Sequence, residues 1–167
     1  IYETATAIDD ESRALPLETD VADEASVSDS IARAVDTFGG LDCLVNNAGI
    51  AGPTAPIEDV TIDEWEQTMD VNVTGMVRCV KHAASHLRES DRGSVVNIAS
   101  ISGKRPLRDR TPYTASKMAV IGFTRTLAVE LGDDDDVTVN AICPGATRGP
   151  RIDDVVQQQA ERRGLSY

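Results

Sequence analysis

Leu41-Asp-Cys-Leu-Val-Asn-Asn-Ala-Gly49 starts as an apolar run and ends in two asparagines, an alanine and a glycine. Leu41 to Asn46 has the length and content of a buried strand, and the residues after it turn the chain at the strand's carboxyl end. Similar runs recur at Ala14 to Glu18, Ser94 to Ala99 and Val137 to Cys143. Helical patterns separate them. Glu24 to Phe38 puts Val27, Ile31, Ala34 and Val35 on one face and stops at Gly39-Gly40. Further helices are predicted over about Ile62 to Glu89 and Pro112 to Leu131, with another beginning near Asp153 and a helix tail at Tyr2 to Ile8. Short apolar strands alternating with long helices predict a parallel sheet covered on both faces, the doubly wound, Rossmann-like α/β class. Trp65, with Ile62 and Met69, reads as core.

Ligands in such a sheet sit beyond the carboxyl ends of the strands. Chemistry is therefore expected just after Glu18, Val45, Ala99 and Cys143, where the sequence places Asp20, Asn46-Asn47-Ala48-Gly49, Ser100 and Pro144-Gly145. The most informative pentapeptide is Tyr113-Thr-Ala-Ser-Lys117. Positions i and i+4 of a helix share a face, so the Tyr113 phenol and the Lys117 ammonium point the same way, about one turn apart. A nearby cation favours phenolate, which a general acid/base tyrosine needs. Ser100 lies 13 residues before Tyr113, at a strand end where its hydroxyl can meet a substrate carbonyl. Asn72 stands within Asp70-Val-Asn-Val-Thr-Gly75, mid-helix, where asparagine is unfavourable and so marks a functional exception.

These signals, in this order, resemble the classical branch of the short-chain dehydrogenase/reductase family, from about Asp20 to Pro150. The resemblance implies an oxidoreductase that moves hydride between nicotinamide (NAD or NADP) and a carbonyl or alcohol carbon. It implies Tyr113 as acid in reduction and base in oxidation, and Ser100 as the group that orients the carbonyl. Lys117 would assist Tyr113 and bond the nicotinamide ribose, and Asn72 would hold a water in a proton relay. It implies cofactor contacts from Asp20 and Val21, from Asn46, Ala48 and Gly49, from Tyr113 and Lys117, and from Pro144, Gly145 and Thr147. The threonine that many relatives place four residues after the Pro-Gly glycine is Gly149 here, and Thr147 comes two residues earlier. Ser102 lacks the 13-residue spacing and is read as shaping the pocket or turning the loop. A homo-oligomer, dimer or tetramer, is implied, with the helices of Asn72 and Tyr113 packing on their copies. The substrate is open among 3-oxoacyl thioesters, sugars or polyols, and steroid-like or aliphatic ketones.

Relatives begin with a strand, a Gly-rich turn and a helix, whereas no glycine precedes Gly39. A βαβ unit of roughly 30 to 45 residues is expected in front of Ile1. The last strand is expected beyond Tyr167. Residues 1–167 then form one partial dinucleotide-binding and catalytic domain, with a substrate loop over about 146–167, lacking the family's first two strands and its last. Alone, this polypeptide is expected to be inactive. The rival reading is a non-catalytic remnant or interaction module without cofactor binding. A strand and Gly-rich turn upstream of Ile1 in the reading frame would favour the enzyme; a stop codon there would favour the rival.

Composition narrows the classes further. The 167 residues are 41% hydrophobic, enough for one domain, and neither a membrane span nor a signal peptide is evident, so a cytoplasmic location is expected. Cys43, Cys79 and Cys143 sit in apolar segments and read as small hydrophobes, not as disulfide partners or ligands. His82 and His86 share a helix face at zinc-chelating spacing, yet no third ligand is apparent, and no metal is expected. Asn72-Val-Thr74 fits a glycosylation sequon, but a cytoplasmic helix is no acceptor. Asp133 to Asp136 reads as a solvated loop. Lys104, Arg105, Arg108 and Arg110 form either a solvated rim or a greeting for an anionic substrate.

A net charge of −12 argues against nucleic acid or anionic membrane as partner. Aspartate outnumbers glutamate 18 to 10 and arginine outnumbers lysine 13 to 3, a composition that resembles proteins of salt-loving organisms, the alternative being an ordinary acidic enzyme. At molar salt the Debye length falls to about 3 Å, so crowded carboxylates repel little. The expected outcome is a melting temperature of the full-length protein that rises from low to molar salt; an unchanged melting curve would contradict a salt-adapted surface.

Overall fold

The structure is a computed structural model and describes residues 5–8, 13–133, 136–146, 149, 153, 155–157 and 160. The elements follow in the order α1 (Glu24–Phe38), β1 (Cys43–Asn46), α2 (Ile62–Met69), a π turn (Asp70–Thr74), α3 (Gly75–Glu89), β2 (Ser94–Ile98), α4 (Thr111–Gly132) and β3 (Thr138–Ile142). Local chemistry sets their ends. Asp23 caps α1 by accepting from Ala25 N, and Gly39 closes it in the left-handed region at φ 80°, its N–H bonded to Val35 O. Thr61 and Glu64 form a reciprocal capping box at α2. The helix expected over Ile62 to Glu89 is α2, the π turn and α3 in sequence. Helical residues also occur at 5–6 and at 153, 155–157 and 160.

The three strands are parallel in the order β1-β2-β3, with Asn46 opposite Asn97 and Asn97 opposite Ala141. Val80, Ala83 and Leu87 of α3 and Leu127 and Leu131 of α4 close on Val95 of β2 and Val139 of β3, with Ile31 and Leu44 packed against them. Burying each of the larger aliphatic side chains contributes about 1.5–3 kcal/mol. Right-handed crossovers that advance in one direction drop every helix on the same face of the sheet. The other face presents Val45 at 56% and Ile142 at 51% exposure. A doubly wound sheet covers that face only with elements that wind the other way, and the three strands contain no such reversal.

Several expectations need correction. Ala14 to Glu18 forms no strand; an apolar run becomes a strand only when a neighbouring backbone pairs with it, and no described segment does. Leu41 to Asn46 is not buried throughout, and Cys43 is exposed because it faces the open side. Cys79 behaves as expected: burial raises its thiol pKa, which keeps it protonated. Ile62 is exposed, since it opens α2 on its outer side, while Trp65 and Met69 are half-buried.

A buried polar chain ties the sheet to α4. Asn46 Nδ2 donates to Asn97 Oδ1 at 2.9 Å, Asn97 Nδ2 donates to Thr124 Oγ1 at 3.0 Å, and Thr124 Oγ1 donates to Val120 O at 2.7 Å. Removing one member strands the others in a dry core, while replacing all of them with apolar groups does not. In the full-length protein, Asn97→Leu is expected to lower stability by about 1–3 kcal/mol in denaturant unfolding, with Asn46→Leu/Asn97→Leu/Thr124→Val recovering most of it. Equal losses in both variants would contradict the network.

Candidate active site

The turn after β1 and the first turns of α4 meet at Asn72. Its side chain is fully buried, at 0% exposure, in the π turn. Asn72 Oδ1 accepts from Ile50 N at 2.8 Å, and Nδ2 donates to Ile50 O and to Ser116 Oγ, both at 3.0 Å. One amide thus clamps the turn after β1 to α4. A π turn inserts one residue into a helix, and such turns gather at functional sites. Here it accounts for the mid-helix asparagine noticed in the sequence.

Lys117 closes the same corner. It is 4% exposed, and its Nζ donates to Ile98 O at 2.7 Å, at the end of β2. A Cβ placed on Gly49 would stand 3.0 Å from Asn72 Oδ1 and 3.7 Å from Lys117 Nζ, so the glycine is what lets the three residues converge. Lys117 Nζ lies 5.8 Å from the Tyr113 ring centroid, as expected for neighbours one turn apart on α4. Ser116 accepts from Asn72 and donates to Tyr113 O at 2.8 Å. Ser116 stands inside the same pentapeptide, but helical spacing alone does not mark it as a site residue.

Ser100 caps the short 3₁₀ turn Ile101–Gly103, and Ile101 N donates to Pro144 O at 2.9 Å, which brings the Pro144-Gly145 turn beside it. Gly103 presses on α4: a Cβ there would stand 2.7 Å from Lys117 O, so only glycine lets the turn lie against the helix. Ala48 and Val21 line a cleft of ≈ 100 Å³ at the end of β1, together with Val45, Asn46, Val71 and Met76. Asp20 is exposed, and its carboxylate accepts from Ala22 N at 2.9 Å in a local turn. Thr147 lies outside the described residues. A larger cavity of ≈ 540 Å³ lies at the opposite end of the sheet, around Gly40, Asp42, His86 and Arg92, away from every residue above.

Arg110 is the main surprise. Grouped in sequence with a solvated or substrate-greeting rim, it is 3% exposed. It donates to Thr54 Oγ1 at 2.9 Å and to Ala51 O at 2.8 Å, and its guanidinium lies 5.0 Å from the Tyr113 ring centroid. It therefore braces the loop after β1 against the start of α4, whereas Lys104, Arg105 and Arg108 are exposed. His82 meets Glu24 Oε1 at 3.3 Å, and the Glu24 carboxyl is held below its ordinary pKa mainly by Lys81. Among the described residues no group of three or more His, Cys, Asp or Glu could hold a metal ion, and no helix is long and apolar enough to cross a membrane.

The family model of the short chain dehydrogenases matches residues 1–160. A cis-4-hydroxycyclohexanecarboxylate dehydrogenase from Sinomonas cyclohexanicum is 39% identical over 140 residues, covering 84% of this chain and 56% of the relative. An NAD+-bound xylitol dehydrogenase superposes with TM-score 0.81 at 33% identity, over 86% of this chain and 55% of that one. Sorbitol-6-phosphate 2-dehydrogenase SrlD from Erwinia amylovora superposes with TM-score 0.89 at 29% identity, over 98% and 64%. The chain spans about half the length of the curated relatives it matches. With strand ends, π turn and α4 arranged around Asn72 and Lys117, and with this match over most of its length, the chain belongs to the short chain dehydrogenase family.

Proposed function

We propose that the protein is an NAD(P)-dependent oxidoreductase, acting on a carbonyl or alcohol substrate, in which Tyr113 is the general acid/base. The observation that carries this reading is the convergence of Gly49, Asn72 and Lys117 beside the Tyr113 ring. The chemistry of the cleft fits part of a dinucleotide. Its apolar walls and the Asn46 amide suit a flat base, and Lys117 suits a ribose hydroxyl, while the glycine turn that grips phosphates has no counterpart before Gly39. Asp20, Val21, Asn46, Ala48, Gly49, Tyr113, Lys117, Pro144, Gly145 and Thr147 would hold the cofactor, NAD or NADP. Bound there, nicotinamide supplies or accepts the hydride.

The chain's own residues handle the proton. In reduction the Tyr113 hydroxyl gives its proton to the carbonyl oxygen, and in oxidation the phenolate takes it back. The Lys117 ammonium faces the negative charge left on the phenolate, and Ser100 donates to the same substrate oxygen. Both N–H groups of Asn72 are already committed to Ile50 and Ser116. A relay water therefore finds only acceptor atoms at Asn72, the second Oδ1 lone pair or the backbone carbonyl.

The surface charge supports an anionic substrate. Lys104, Arg105 and Arg108 are exposed in the loop that joins Ser100 to Tyr113 and form no ion pair among the described residues, whereas Arg78, Lys81 and Arg92 each meet a carboxylate. In a chain of net charge −12 these cations favour an anionic alcohol or ketone, as hydroxycyclohexanecarboxylate and sorbitol 6-phosphate are. Exposed Met118 and Val129 on α4 and Val77 on α3 support a homo-oligomer, dimer or tetramer, through these helices, and a cytoplasmic location is part of the same reading.

The full-length protein, assayed with NAD+ and NADP+ on cis-4-hydroxycyclohexanecarboxylate, sorbitol 6-phosphate and xylitol, is expected to turn over at least one of them. Tyr113→Phe should keep cofactor affinity and lose turnover by about 10²–10⁴-fold; near-normal turnover would refute the assignment. Arg105→Glu/Arg108→Glu is expected to raise KM for the anionic alcohols several-fold more than for xylitol, and equal changes would contradict the substrate charge.

A further inference from the structure

Ser100 Oγ accepts two hydrogen bonds from the same residue. Ser102 donates its backbone N–H at 3.2 Å and its hydroxyl at 2.8 Å. Ser102 is 1% exposed, held down by the turn that Gly103 presses against the backbone of Lys117. A serine hydroxyl has one proton and two acceptor lone pairs. With both lone pairs filled from below, Ser100 has only its own proton to offer outwards.

We infer that Ser102 is a positioning residue that makes Ser100 an obligate hydrogen-bond donor to the substrate oxygen. The inference rests on the reading of Ser100 as the hydroxyl that meets the carbonyl. Two consequences follow from the geometry. A hydroxyl that could accept would also orient towards the proton of an alcohol or of the Tyr113 phenol; with its lone pairs occupied it does not compete for the proton that Tyr113 transfers. A hydroxyl that accepts hydrogen bonds is also polarised, so the one it donates strengthens, and it does so where negative charge develops on the substrate oxygen. The backbone N–H bond is the ordinary cap of a short turn, and any residue at 102 except proline would provide it. The side-chain hydroxyl is the added part, and it is what a substitution can remove without unmaking the turn.

The test uses the full-length protein and whichever alcohol of the panel above it oxidises fastest. Ser102→Ala and Ser102→Cys remove the strong donor in two different ways while keeping a small buried side chain. Both are expected to lower kcat about fivefold to tenfold, the equivalent of one neutral hydrogen bond, with KM, cofactor affinity and melting temperature little changed. Ser102→Thr, which keeps the hydroxyl, should recover most of the rate. In a Ser100→Ala background, Ser102→Ala should cost nothing further, because it acts through Ser100. Wild-type kcat in Ser102→Ala and Ser102→Cys, or the same loss with and without Ser100, would overturn the inference. If Ser100→Ala alone left turnover unchanged, the reading of Ser100 itself would fail and take the inference with it.

Discussion

The arrangement depends on one buried amide. Asn72 spends its side chain on Ile50 and Ser116, and in doing so joins three separate stretches of chain: the turn after β1, the π turn between α2 and α3, and the second turn of α4. A polar group at zero exposure is tolerated only when its bonds are made, and a fully satisfied one specifies geometry more sharply than apolar packing does. Everything proposed for the site follows from that clamp. Gly49 approaches Lys117 because the clamp holds the turn after β1 against α4, on which Lys117 and Tyr113 sit one turn apart.

A second constraint is topological. Three parallel strands joined by right-handed crossovers place α3 and α4 on one side, where α1 packs against α3, and bring every strand's carboxyl end to one rim. The rim collects Asn46, Ala48 and Gly49 from β1, Ser100 from β2 and Pro144 and Gly145 from β3 without any long-range contact having to be encoded for each. Arg110 and Ser102 then refine it, one bracing the loop wall and the other holding the Ser100 hydroxyl from beneath.

Much of this was legible in sequence because it is local. Val27 and Ile31 mark a helix face, Gly39 ends it, and Tyr113 and Lys117 sit one turn apart by helical arithmetic alone. What was not legible depends on partners. Ala14 to Glu18 has the composition of a strand and pairs with no neighbour among the described residues. Cys43 and Val45 look like core and face the open side of the sheet, because hydropathy does not report which face the helices cover. Arg110 belongs by composition to an exposed basic loop and is buried by three-dimensional contacts with Thr54, Ala51 and Tyr113. Two further residues carry a signal in the sequence: Asn97, a polar residue in the middle of an apolar strand, and Ser116, enclosed by the Tyr113 to Lys117 pentapeptide.

The central claim is that the corner formed by Gly49, Asn72 and Lys117 is where a nicotinamide nucleotide meets the protein. The most direct measurement is a crystal structure of the full-length protein with NAD+ or NADP+ bound. The account predicts the nicotinamide ribose within hydrogen-bond distance of Lys117 Nζ and Tyr113 Oη, with the adenine end along the cleft beside Val21 and Ala48. A nucleotide bound elsewhere, with Lys117 facing no part of it, would contradict the account.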